Sequence, residues 1–125
     1  AVAAAIETVR HLATNGNEIY PRMEKMGAAM EAGILDIFKH AGIAACVARQ
    51  GSAFSFYLME TPPRDLHDII KGHDFARDVA LRRGLVERGV FFVPIATKQC
   101  SLSAAHTMDD VAFTLEQFEA SLKAL

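Results

Sequence analysis

Cys100 and His106, a thiol and an imidazole close together in the chain, are the first residues here that suggest chemistry. A thiolate attacks carbon or metal centres when a neighbouring base takes its proton. Cys100, however, alternates with Leu102 in a strand-like pattern, which reads as a buried structural thiol. The five histidines stand at His11, His40, His67, His73 and His106. None pairs at helical spacing with another histidine and a glutamate, as a zinc-protease helix requires, so they read as surface or capping residues and no metal site is expected. Gly51-Ser52 offers backbone amides suited to an anion, and a plain hairpin turn explains the pair equally well. Arg77, Arg82, Arg83 and Arg88 read as the solvated face of a helix, not as a phosphate site. GxSxG, P-loop and GxGxxG patterns are absent. These side chains assemble no self-contained active site.

The elements that must carry them follow from periodicity. Val2, Ile6, Val9 and Ala13 predict a first helix, ended by Asn15-Gly16-Asn17. Met23, Met26, Met30, Ile34, Ile37 and Ala41 stripe a second helix over residues 18–41, with Pro21 in its first turn and Gly42 as its stop. Gly27 and Gly33 on that helix mark close approach to a neighbouring element. Residues 43–49 and 53–60 read as two strands about Gln50-Gly51-Ser52, with Phe54, Phe56 and Leu58 on one face. Residues 61–72 are expected to form a long loop with one helical turn. A third helix starts with His73 or Asp74 as cap, and turns Phe75, Val79 and Val86 inward. Residues 90–93 then predict a buried strand that Pro94 ends, followed by a strand over 99–103. Thr107 and Asp110 form a variant capping box for a last helix that buries Val111, Leu115, Phe118 and Leu122. The order is α-α-β-β-α-β-β-α, an α+β arrangement with helices packed on a mostly antiparallel sheet.

A chain of 125 residues fits one domain. With 51% apolar and 22% charged residues it has an ordinary globular balance. A formal charge of −2 and no clustered basic stretch argue against a nucleic-acid partner. No apolar run reaches the roughly 20 residues of a membrane span. Two distant cysteines, Cys46 and Cys100, point to buried thiols in a reducing compartment, and so to the cytoplasm. The opening Ala1-Val2-Ala3-Ala4-Ala5-Ile6 has neither an initiating methionine nor a signal-peptide charge, and suggests a piece of a longer protein.

Several stretches together carry a resemblance: Gly42-Ile43-Ala44-Ala45-Cys46, Gly51-Ser52-Ala53-Phe54, Gly84-Leu85-Val86-Glu87-Arg88-Gly89-Val90, and above all Ser103-Ala104-Ala105-His106-Thr107-Met108-Asp109-Asp110. In this order they resemble the C-terminal part of class III pyridoxal-phosphate aminotransferases, nearest to the glutamate-1-semialdehyde aminomutases. The resemblance implies the small domain of a fold-type-I enzyme, a homodimer whose large domain is a separate part of the same polypeptide. It implies pyridoxal phosphate in the parent enzyme and none bound to residues 1–125 alone. The family's Schiff-base lysine, its pyridine-pairing aspartate and its phosphate loop lie in the large domain. Lys25, Lys39, Lys71, Lys98 and Lys123 match none of them, so this piece alone is expected to be inactive.

One stretch departs from the family. Where the aminomutases carry Ser-Gln-Phe-Glu after the proline, this chain has Ile95-Ala96-Thr97-Lys98. A base replaces an acid near the substrate, which favours a sister aminotransferase with another small-molecule amino donor and acceptor. Lys98, Gly51 and Ser52 are the substrate-binding candidates. The domain is expected to close over the active site and shape substrate choice. The alternative is a free-standing α+β binding or regulatory module.

Overall fold

Met26, Met30, Ile34 and Phe38, one turn apart on a single helix, supply one wall of the core and are almost fully buried. The computed structural model describes residues 1–125. In order they form α1 (Val2–His40), β1 (Cys46–Gln50), β2 (Ala53–Tyr57), α2 (Leu66–Gly72), α3 (Phe75–Glu87), β3 (Cys100–Ser101) and α4 (Met108–Lys123). The sheet runs β1-β2-β3 and both pairings are antiparallel. The α+β class is borne out. Gln50 pairs with Ala53 across Gly51-Ser52, with Gly51 at φ +60, the glycine-first geometry that suits a two-residue hairpin.

Three phenylalanines join the layers. The ring of Phe118 on α4 meets Phe38 of α1 at 5.3 Å and Phe56 of β2 at 5.4 Å, both edge to face. Thr107 and Asp110 form a complete capping box, each side chain bonded to the other's backbone. Both expected close approaches on α1 exist. A Cβ at Gly27 would collide with the Gly51 carbonyl, and one at Gly33 with the Leu115 side chain. Arg49 of β1 reinforces the first contact, reaching Glu24 at 2.7 Å and Glu31 at 2.6 Å on α1 and the Gly51 carbonyl at 2.8 Å.

Four local expectations need correction. Asn15-Gly16-Asn17 does not end a helix, because α1 continues through it to His40. Asn15 donates back to the His11 carbonyl at 3.0 Å, a bond that follows the helix instead of competing with it. The single helical turn expected within 61–72 is longer, the 7-residue α2, which Asp65 caps by accepting the Asp68 amide. Residues 90–93 make no ladder bonds. Their backbone turns on itself, with Phe92 donating to Val90 and Ile95 to Val93, while Val90 and Phe92 still bury their side chains. The face of α3 is also shifted: Asp78, Leu81, Arg82 and Leu85 are buried, whereas Phe75 and Val86 are exposed. Arg82 is therefore a core residue and not part of a solvated face.

Candidate functional site

The inward stripe of α3 carries an acid and a base one turn apart. Arg82 Nε donates to Asp78 Oδ1 at 2.6 Å, and both side chains are inaccessible to solvent. Burying such a pair is tolerable only when the remaining donors and acceptors are used. His73, just before α3, supplies one of them. The Leu58 amide donates to His73 Nδ1 at 3.0 Å, so that nitrogen accepts and Nε2 carries the hydrogen. Nε2 then donates to Asp78 Oδ2, also at 3.0 Å. Phe75 packs edge-on against the imidazole at 4.8 Å. Arg82 lies over the Phe56 ring, 4.7 Å from its centre, and donates to the Val93 carbonyl at 3.3 Å. Its Nη2 is buried without a partner.

A second donor to Asp78 Oδ2 comes from the turn after Pro94. The Thr97 amide reaches it at 2.6 Å, with Thr97 held at φ 61. Left-handed backbone is rare for a β-branched residue and persists only where its surroundings impose it. Lys98 follows, exposed, with its amide bonded to the Ile95 carbonyl at 3.3 Å. The candidate lysine thus stands on a turn anchored in the core.

Gly51 and Ser52 lie elsewhere on the sheet. Leu102 donates to the Ser52 carbonyl at 3.0 Å, and Phe54 pairs with Cys100. Leu102 follows β3 and meets the hairpin turn, whereas Lys98 precedes β3 and closes the turn begun at Ile95. The hairpin turn and the Lys98 turn therefore mark opposite ends of the β2–β3 ladder and do not form one cluster.

Cys100 and His106 line a common cavity of about 500 Å³ between residues 89–93, β3 and α4. They are not bonded to each other. Cys100 Sγ lies 3.7 Å from Arg82 Nη1 and 3.7 Å from the Lys98 carbonyl. His106 Nδ1 is engaged by the Ser103 amide at 3.0 Å and hydroxyl at 2.9 Å. Burial pushes the Cys100 thiol above its ordinary range, with Arg82 pulling partly the other way. This is an inert thiol in its plain chemistry. No three His, Cys, Asp or Glu side chains converge as a metal site would need. No helix is long and apolar enough to cross a membrane.

The His73–Asp78–Arg82 cluster was missed in the sequence. Its visible signal was an oppositely charged pair at i, i+4 on the same helical stripe as Leu81 and Leu85.

The same fold occurs within larger solved structures. It superposes on the Sphingopyxis FumI protein, solved in a pyridoxal-phosphate internal aldimine form, with a TM-score of 0.74 and 27% identity, covering 98% of this chain and 26% of that one. It also superposes on a glutamate-1-semialdehyde aminomutase of Pseudomonas aeruginosa with a TM-score of 0.78 and 21% identity, covering 86% of this chain and 24% of that chain, a likeness of fold. No family model matches the sequence. The sequence is 34% identical over 115 residues to the glutamate-1-semialdehyde 2,1-aminomutase of Acidobacterium capsulatum, covering 92% of this chain and 27% of that protein. The resemblance read from the motifs is borne out: nearly the whole of this chain is similar in sequence to a segment of the glutamate-1-semialdehyde 2,1-aminomutases. It spans about a quarter of the length of the curated relatives it matches.

Proposed function

We infer that this chain acts as the small, C-terminal domain of a pyridoxal-phosphate-dependent class III aminotransferase or aminomutase, closing over the active site and shaping substrate choice. The observation that carries this reading is similarity along the whole chain to one quarter of such enzymes. The residues present do not fit the cofactor itself. Lys25, Lys39, Lys71, Lys98 and Lys123 are all exposed, whereas a Schiff-base lysine needs a desolvating pocket. In this reading the cofactor, which supplies the electron sink for chemistry at the amine-bearing carbon, is held by the large domain of the same polypeptide, in a cytoplasmic homodimer.

What these residues contribute is recognition. Lys98 presents an ammonium that attracts a substrate carboxylate and repels a substrate amine. Gly51 and Ser52, at the other end of the ladder, offer a second contact through turn amides and a hydroxyl. The test is to express the complete polypeptide encoded by the natural reading frame around Ala1. Cofactor absorbance that borohydride fixes to one lysine outside residues 1–125, with amino transfer between small amino donors and acceptors, is the expected result. A frame that encodes no cofactor-binding domain rejects the reading and leaves a free-standing binding module.

A further inference from the structure

The buried polar cluster of α3 holds both flanks of one turn. Before the turn, Arg82 Nη1 donates to the Val93 carbonyl at 3.3 Å. After it, Asp78 Oδ2 accepts the Thr97 amide at 2.6 Å. The same carboxylate oxygen accepts His73 Nε2–H at 3.0 Å, and His73 is oriented in turn by the Leu58 amide. A chain of bonds therefore runs from the end of β2, through a histidine and a carboxylate, to the residue before Lys98. An ion pair that only tied α3 into the core would have no need of the Thr97 amide. Threonine gains nothing of its own from left-handed backbone, so the acceptor placed beneath it accounts for the conformation.

We propose that Asp78 is the positioning residue for Lys98, fixing the direction in which the turn presents that ammonium to a substrate carboxylate. His73 orients the Asp78 carboxylate and Arg82 balances its charge. This proposal rests on the substrate-facing role given to Lys98 above.

A double-mutant cycle between Asp78→Asn and Thr97→Asn tests it. Asparagine enters the left-handed region far more readily than threonine, so it keeps the turn without help. In this chain, Asp78→Asn raises the exchange rate of the residue-97 amide about tenfold, the scale of a lost bond to a charged acceptor. Adding Thr97→Asn restores most of that protection. In the complete polypeptide, Asp78→Asn lowers the preference for amino acids over simple amines by about tenfold, and Thr97→Asn again restores it. Effects of Asp78→Asn that are the same in both backgrounds overturn the proposal, because a merely structural aspartate is blind to the backbone preference of residue 97. Should Asp78→Asn fail to fold, His73→Phe replaces it, leaving the Asp78–Arg82 pair in place. Loosening of the turn that Thr97→Asn reverses supports the proposal, and an unchanged turn overturns it. The two readings separate cleanly. Exchange in this chain needs no enzyme, while Lys98→Ala in the complete polypeptide tests the substrate-facing role. Coupling in the exchange arm with unaltered specificity for Lys98→Ala overturns that role alone.

Discussion

The Asp78 carboxylate accepts the Thr97 amide at 2.6 Å, so a charge buried on α3 governs the backbone of a surface turn. Its energetic partner is Arg82. Removing one member of such a pair leaves the other charged and buried, which costs about 3–5 kcal/mol, whereas replacing both with apolar residues costs far less. Arg82→Met is expected to destabilise by that amount in urea unfolding, and Asp78→Leu/Arg82→Met by less than either single change. Additive losses would count against the pair.

The glycines of α1 and α3 make a graded test. Alanine favours a helix over glycine by about 1 kcal/mol. At Gly84 an added Cβ meets Ser121 at 3.4 Å, an ordinary contact, so Gly84→Ala is expected to stabilise by about 0.5–1 kcal/mol. At Gly27 the obstacle is the Gly51 carbonyl, which the hairpin and Arg49 hold in place. Gly27→Ala is expected to destabilise by about 1–3 kcal/mol. Urea midpoints moving in the same direction for both variants would refute this.

Acid sensitivity should include a share from Asp110. The Thr107 amide, and then its hydroxyl, hold the Asp110 carboxyl below the usual carboxylate range. Because the folded value is the lower one, the contribution to stability is present above about pH 4 and fades as pH falls through the folded value. Asp110→Asn is expected to flatten this part of the pH–stability curve, read as urea midpoints between about pH 2 and 6. An acid limb of unchanged slope would show that the cap contributes nothing there.

Lys98 should matter to substrates and not to stability. In the complete polypeptide, Lys98→Glu is expected to lower kcat/KM for carboxylate-bearing amino acids by about ten- to a hundredfold, with Lys98→Ala milder. Simple amines are expected to be spared, and the thermal midpoint unchanged, since the side chain is exposed. Equal kcat/KM across both substrate classes returns Lys98 to a solvated turn.

The first buried residue of α1 is Ile19. Val2, Ile6 and Val9 are 75%, 45% and 65% exposed. Amides of residues 2–14 are therefore expected to exchange within the dead time or to be protected only by self-association, while those of residues 26–38 remain protected. A monomer protected evenly along α1 would contradict this.

Legibility followed the kind of signal each element carries. α4 and its cap were readable because Val111, Leu115, Phe118 and Leu122 keep helical spacing directly after Thr107. The hairpin was readable because Phe54, Phe56 and Leu58 alternate directly after a glycine turn. α3 was not, since two of its four buried residues, Asp78 and Arg82, are charged and invert the expected polarity of that face. Thr97 carries no hint of left-handed backbone, because the cause lies on another element. Pro94 located the turn, and Lys98 was singled out as a departure from relatives. The anchor beneath it depends on a contact between residues 78 and 97 that no local pattern encodes.

The unbroken course of α1 has a mechanical meaning. Residues 2–18 extend about 25 Å beyond the first buried turn at 1.5 Å per residue. With no hinge at Asn15-Gly16-Asn17, that rod and the hairpin clamped to it by Arg49 turn together. Where another surface covers residues 2–14 and so keeps them helical, the projecting half becomes a lever: a rotation of about 10° displaces its tip by about 4 Å over that length. A partner that grips the tip then turns the hairpin with it, through the Arg49 clamp.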